Sequence, residues 1–243
     1  MGEASKRKDT DLSLKKKISG STQLTQNSQL LSQENLRQTE SKEKQALGFI
    51  QAGKLKKAEE IYLELIEKGS KNHSVYVNLA IIYGLAGKQN KQVNLLQYAL
   101  KLKPDYAIAH YNLGNALIKQ GKITAAISSY QQAIKLKPNY PAAYYNLGTT
   151  LLEQGHLDDS ISYLQQAIKL RPDYPDAYLN LGNVLKKQGD LKAAITSFQQ
   201  AIKLKPDYQE AHNNLGSVLK EQGDLKAAMT SFQQAIQLKT DYP

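Results

Sequence analysis

Five asparagines, Asn78, Asn112, Asn146, Asn180 and Asn214, stand 34 residues apart. An asparagine side chain carries both a donor and an acceptor. A row of them can therefore pair with the backbone amides of an extended peptide whatever its sequence. Helical spacing puts Tyr111, Tyr145, Asn115 and Asn183 on the same surface, adding apolar area and further hydrogen bonds. The same row could instead tie neighbouring helices to one another, and at the level of sequence both readings stand.

Other residue types that could do chemistry lead nowhere. The chain has four His and no Cys, so thiolate metal sites, disulfides and thiol nucleophiles are excluded. His110 and His212 share a column with Tyr76, Tyr144 and Tyr178, which points to packing. They lie three units apart, and helices packed about 8–10 Å apart cannot bring them to one metal. His156, with Asp158 and Asp159 after it, reads as a surface turn leading into a helix with an acidic first turn. Gly121-Lys122-Ile123 and Gly87-Lys88-Gln89 lack the hydroxyl residue and upstream glycine of a phosphate loop. No nucleophile elbow accompanies the serines. We expect no catalytic residue, no metal site and no cofactor.

The chain has 243 residues and a formal net charge of +10. No run of about 18 apolar residues is present, so a membrane-spanning helix is not expected. The polar, Lys-rich start lacks the apolar stretch of a secretory signal, and a cytoplasmic location follows as the default. Much of the positive charge falls in the last turns of predicted helices, at Lys101, Lys135, Lys169 and Lys203 among others, where cations complement the helix dipole. Nucleic-acid readers usually add base-stacking aromatics to a cationic surface; the tyrosines here fall mainly in packing columns and junctions, so nucleic acid is not an expected partner.

What must position the asparagines is a repeat. Prolines recur at Pro104, Pro138, Pro172 and Pro206, and glycines at Gly53, Gly87, Gly121, Gly155, Gly189 and Gly223, each 34 residues after the last. Such a period marks stacked structural repeats. Six units result: 39–72, 73–106, 107–140, 141–174, 175–208 and 209–242. In the fifth, Tyr178, Leu181, Gly182 and Leu185 lie on one face of a helix. Gly189 can end that helix in the left-handed conformation, and Asp190 can cap the next. Leu191, Ala194, Phe198, Ala201 and Ile202 form the second helix's apolar stripe, and Pro206 stops it. Two antiparallel helices per unit satisfy all of these signals. The glycines Gly114, Gly148, Gly182 and Gly216 are expected to admit the second helix at Ala126, Ser160, Ala194 and Ala228.

Asn-Leu-Gly, Gln-Gly, a small residue, an aromatic, Ala and Pro in this order resemble the tetratricopeptide repeat (TPR), over more than four-fifths of the chain. The resemblance implies an all-α, right-handed superhelical solenoid whose first helices line a concave groove for peptides or protein partners. The asparagine column is similar to the ladder in the repeat region of protein O-linked N-acetylglucosamine transferases, where such residues hold the backbone of a substrate peptide. It leaves two functions open: a free interaction scaffold, or the recruiting region of a larger transferase. The carboxylate clamp known in other TPR grooves needs Lys and Arg beside the asparagines. Tyr111, Tyr145, Asp176 and Asn180 stand at groove positions here.

Two units depart from the pattern. Gln92 fills the small column of the second, and Lys42 and Gln45 replace the usual aromatic and Leu of the first, as a polar terminal cap would. Residues 1–32 are polar and basic without periodicity and are expected to be a disordered tail, leaving 33–243 as the solenoid. Thr240-Asp241-Tyr242-Pro243 matches the junction Pro172-Asp173-Tyr174-Pro175 except for Thr240. From this we expect either a longer parent protein or self-association through an apolar face carrying Phe232 and Ile236.

Overall fold

The computed structural model describes residues 34 and 37–240, with the side chain of Thr240 excepted. The tail expected over 1–32 and the junction 241–243 lie outside the described residues. Twelve helices and no strand occur among the described residues. They fall into two compact units, the first ending at Ile82 and the second beginning at Tyr83.

Unit 1 holds helix α1 over 37–51, α2 (Leu55–Glu67) and most of α3 (His73–Leu85). Ala46 of α1 and Ala58, Tyr62 and Leu65 of α2 are buried. Lys42 of α1 pairs with Glu64 of α2, and Lys68 Nζ donates to the same carboxylate at 2.6 Å. The polar residue at position 42 is thus an inter-helix tie. Asn72 Nδ2 reaches both carboxylate oxygens of Glu43, at 2.9 and 2.8 Å.

Unit 2 continues with α4 (Gln89–Leu102), α5 (Ala107–Lys119), α6 (Ile123–Leu136), α7 (Pro141–Glu153) and α8 (Leu157–Leu170). It ends with α9 (Pro175–Gln188), α10 (Leu191–Leu204), α11 (Gln209–Gln222) and α12 (Leu225–Thr240). The pairs α5/α6, α7/α8, α9/α10 and α11/α12 are hairpins, each second helix packs on the next first helix, and α7, α9 and α11 touch in turn. The unit is an all-α stack of repeats.

Local chemistry sets the helix ends. Gly189 adopts φ 90° and closes α9, after which Asp190 accepts a hydrogen bond from the Ala193 backbone N–H at 3.0 Å. Asp224 does the same for Ala227 at 3.0 Å. The second helices in mid-stack stop at Leu136, Leu170 and Leu204, two residues before a proline. α12, with Thr240 in place of the proline, runs on to Thr240.

The glycine column does more than admit the small residues of the second helix. A Cβ on Gly114, Gly148, Gly182 or Gly216 would meet the bulky residue of the second helix: Tyr130, Leu164, Phe198 or Phe232 respectively. The clearance is therefore for a large side chain lying against bare backbone, and the small column sits beside it, as Ser160 Oγ donating to Gly148 O at 2.7 Å shows. In the second repeat the room comes from another glycine. A Cβ on Gly84 would lie 2.5 Å from Gln92 Nε2, so the oversized Gln92 is buried over Gly84.

Phe232, expected on one face with Ile236, packs over Gly216 inside the hairpin, whereas the face of α12 away from α11 exposes Leu225, Met229 and Ile236, each more than 60 % accessible. Their equivalents on α10, Leu191, Ile195 and Ile202, are half-buried against the next hairpin.

Candidate functional site

Four of the five ladder asparagines fall in unit 2, one on each first helix, all partly buried. Three reach back to the preceding repeat. Asn146 Nδ2 donates to Asn115 Oδ1 at 2.7 Å and to the Tyr111 hydroxyl at 3.3 Å. Asn180 Nδ2 donates to the Tyr145 hydroxyl and to Thr149 Oγ1, both at 3.1 Å. Asn214 Nδ2 donates to Asn183 Oδ1 at 2.9 Å. Tyr130, from the second helix, adds its own O–H to Asn115 Oδ1 at 2.8 Å. The structure thus brings Tyr111, Asn115 and Asn146 together, then Tyr145 and Asn180, then Asn183 and Asn214. Asn112 occupies the same register on α5. Asn78 belongs to unit 1, on α3, beside the buried Tyr62, whose phenol is raised by desolvation.

Two open concavities run along this row. One, of about 360 Å³, is lined by Asn115, Ile118, Lys119, Tyr130, Asn146 and Thr149, among others. The next, of about 480 Å³, is lined by Thr149, Leu152, Asn180, Asn183, Lys186 and Asn214, among others. Thr149 and Glu153 line both, so the two concavities adjoin along the row.

Sequence reasoning missed Thr149, Glu153, Lys119, Lys186 and Lys187 in these walls. The signal was present. Asn115, Thr149, Asn183 and Ser217 follow the ladder by three residues, and Lys119, Glu153, Lys187 and Glu221 by seven, which is one helix face. Lys186 Nζ donates to Ser217 Oγ at 2.7 Å, extending the inter-repeat bonding toward the ends of the first helices.

A tyrosine wall borders the row. Tyr111 and Tyr140 have ring centroids 4.9 Å apart, and Tyr145 and Tyr174 repeat that distance one unit on. Desolvation pushes the Tyr140 and Tyr174 phenols up to about 12. Tyr208, in whose repeat Leu179 stands at the position of Tyr111 and Tyr145, donates to Asp176 Oδ1 at 2.6 Å.

His110 and His212 are structural. His110 Nε2 lies 2.8 Å from Pro104 O and His212 Nε2 lies 2.9 Å from Pro206 O. A carbonyl only accepts, so Nε2 carries the proton in both. Tyr76 makes the equivalent bond to Ser70 O at 2.7 Å, which is why His and Tyr share the column. Among the described residues no group of three His, Cys, Asp or Glu could hold a metal ion, and no helix is long and apolar enough to cross a membrane. The arrangement offers hydrogen bonds, apolar walls and charge, which is the chemistry of binding.

Comparison with known proteins fits this geometry. A family model for the TPR repeat matches residues 85–121, 114–155, 149–189 and 182–223, and one for the tetratricopeptide repeat matches 209–242. No curated protein matches the sequence. Among solved structures the chain is similar to YrrB, described as a TPR protein with an unusual peptide-binding site. That likeness has a TM-score of 0.64 and 22% identity, covering 74% of this chain and 93% of that one. MamA from Desulfovibrio magneticus RS-1 matches with a TM-score of 0.67 and 24% identity over 72% of this chain and 98% of its own. The pilF product of Pseudomonas aeruginosa gives a TM-score of 0.73 and 18% identity over 84% and 92%. At these identities the likeness is one of fold.

Proposed function

The chain belongs to the tetratricopeptide repeat family, and from that premise we propose that it is a non-catalytic, cytoplasmic scaffold holding an extended peptide along the first helices of unit 2. The observation that carries this reading is the pair of adjoining concavities, one walled by Asn115 and Asn146 and the next by Asn180, Asn183 and Asn214. Cross-repeat bonds fix the amides of Asn146, Asn180 and Asn214 in place. Asn146 and Asn180 each give two hydrogen bonds to the preceding repeat and Asn214 gives one, so their Oδ1 atoms are the groups offered to the N–H groups of a bound backbone. Helices packed about 8–10 Å apart meet an extended chain, which rises about 3.3 Å per residue, roughly once every three residues. Side chains between those contacts lie against Tyr111, Tyr145, Ile118 and Leu152. Asn112 extends the row by one rung, and Asn78 takes the equivalent part within unit 1. That YrrB, of the same fold, is described as having a peptide-binding site supports the reading.

Selection from a displayed library of random peptides tests it. The chain is expected to enrich peptides that bind N146A/N180A several-fold more weakly; no enrichment, or equal affinity for both proteins, overturns the proposal.

The ladder's likeness to that of O-linked N-acetylglucosamine transferases favours a second reading, in which the same row recruits substrate for a catalytic part outside this sequence. Reading the parent gene past residue 243 separates the two. Self-association through Leu225, Met229 and Ile236 belongs to the proposal as well; a mass by light scattering that stays monomeric at all concentrations would remove it.

A further inference from the structure

In unit 2 the loops from each second helix to the next first helix gather at one end of the hairpins, and the turns within hairpins at the other. Lys103, Lys137, Arg171 and Lys205 stand one in each of those loops, and a further lysine precedes each by two residues. The four cations are positioned by aromatic rings. Lys103 Nζ is 5.4 Å from the Tyr106 centroid, Lys137 Nζ 4.8 Å from Tyr140, the Arg171 guanidinium 4.5 Å from Tyr174, and Lys205 Nζ 4.4 Å from Tyr208. Cations complement the ends of the second helices wherever they point. Stacking each on a ring in every repeat goes further: it holds a row of charges in register with the repeat and lowers the entropy lost on binding.

We propose that this rim of unit 2 is a docking surface for an acidic protein segment, separate from the asparagine row. Two features favour spaced carboxylates over nucleic acid. Asp105, Asp173 and Asp207 are interspersed with the cations, and Arg171 lies 3.5 Å from Asp173. A phosphate backbone, with one charge per roughly 1.7 Å of duplex, would meet these carboxylates, whereas separated Glu or Asp side chains can pass between them. The aromatic faces are also taken. Tyr140 and Tyr174 carry a cation and stack on Tyr111 and Tyr145, so they offer no platform for bases.

Fluorescence anisotropy with a labelled oligoglutamate, and in parallel a mixed-sequence duplex DNA, tests the proposal on the full chain. The oligoglutamate should bind in a salt-dependent way, and more tightly than the duplex. K137E/R171E/K205E should weaken it by at least roughly tenfold, since like charges then face each other. K122E/K192E/K226E makes the same charge change at the other end of the hairpins and should retain the binding. Should the reversed rim melt early, K137Q/R171Q/K205Q must still weaken binding several-fold. N146A/N180A should bind oligoglutamate normally, so failure of the rim and failure of the groove are read separately. No binding at low salt, equal loss in both charge-reversed sets, or tighter binding of the duplex through the same residues overturns the inference.

Discussion

Asn180 on α9 donates to Thr149 Oγ1 on α7 at 3.1 Å, across the boundary between two repeats. With the parallel bond from Asn146 to Asn115 at 2.7 Å, it makes the ladder part of the stack and not only of the groove. An intramolecular hydrogen bond contributes about 0.5–1.5 kcal/mol net. N146A/N180A removes four such bonds and is therefore expected to lower the stability of unit 2 by about 2–6 kcal/mol, measured by urea unfolding, while peptide capture falls several-fold. A variant that unfolds outright would assign the ladder to architecture alone.

Gly182 lies under the Phe198 ring, where a Cβ would come within 2.5 Å of the ring. Phe198 is fully buried and cannot move aside cheaply. G182A should lose about 1–3 kcal/mol by overpacking. In a double-mutant cycle with F198A most of that loss should vanish, because the clash has no partner. Additive effects in the cycle would mean that the glycine is required for some reason other than the ring.

The period, the hairpin and the caps were legible in the sequence because each depends on local chemistry. Gly189, Asp190 and Pro206 work within a few residues of themselves. What the glycine column faces was not legible. Of the expected partners Ser160 does meet its glycine, at the Gly148 carbonyl, but the side chains a Cβ would strike are Tyr130, Leu164, Phe198 and Phe232. The difference lies in how far one helix of a hairpin is rotated about its axis, which periodicity does not fix. The same holds between repeats. Thr149 stands where the neighbouring repeats have Asn115 and Asn183, and only the stacking of the next hairpin puts Asn180 against it. The stacking of Lys137 on Tyr140 and of Tyr140 on Tyr111 likewise depends on the path of a loop between helices.

Alkaline pH should loosen unit 2 through its tyrosines. Tyr140 and Tyr174 ionise at about 12 in the folded protein, chiefly because burial disfavours the phenolate. Unfolded, they ionise near 10. A raised folded value favours the protonated group, so the stabilisation is complete below pH 10 and is lost as pH rises through about 12. Phenolate absorbance and helicity followed together should show these two rings ionising with, and not before, the loss of helix. Y140F/Y174F should push the alkaline transition to higher pH. An unchanged transition would show that other groups control it.

Unit 1 should respond at the opposite end of the pH scale. Glu64 accepts from Lys42 on α1 and from Lys68 one turn along α2, and these bonds lower its carboxyl to about 2 from an ordinary value of 4.5. A depressed folded value favours the ionised group, so its stabilisation is present above pH 4.5 and is lost as pH falls through about 2. The group is partly exposed, and salt should shrink the effect. Carboxyl NMR should find the Glu64 midpoint near 2 and see it move up in K42A more than in K68A, because the Lys42 bond is the larger cause. The stability of unit 1 should fall across that pH window in the parent chain and stay flat in E64Q. A Glu64 midpoint at the ordinary carboxylate value would mean that Lys42 does not hold α1 to α2 in solution, and that the polar face of the first repeat is merely solvated.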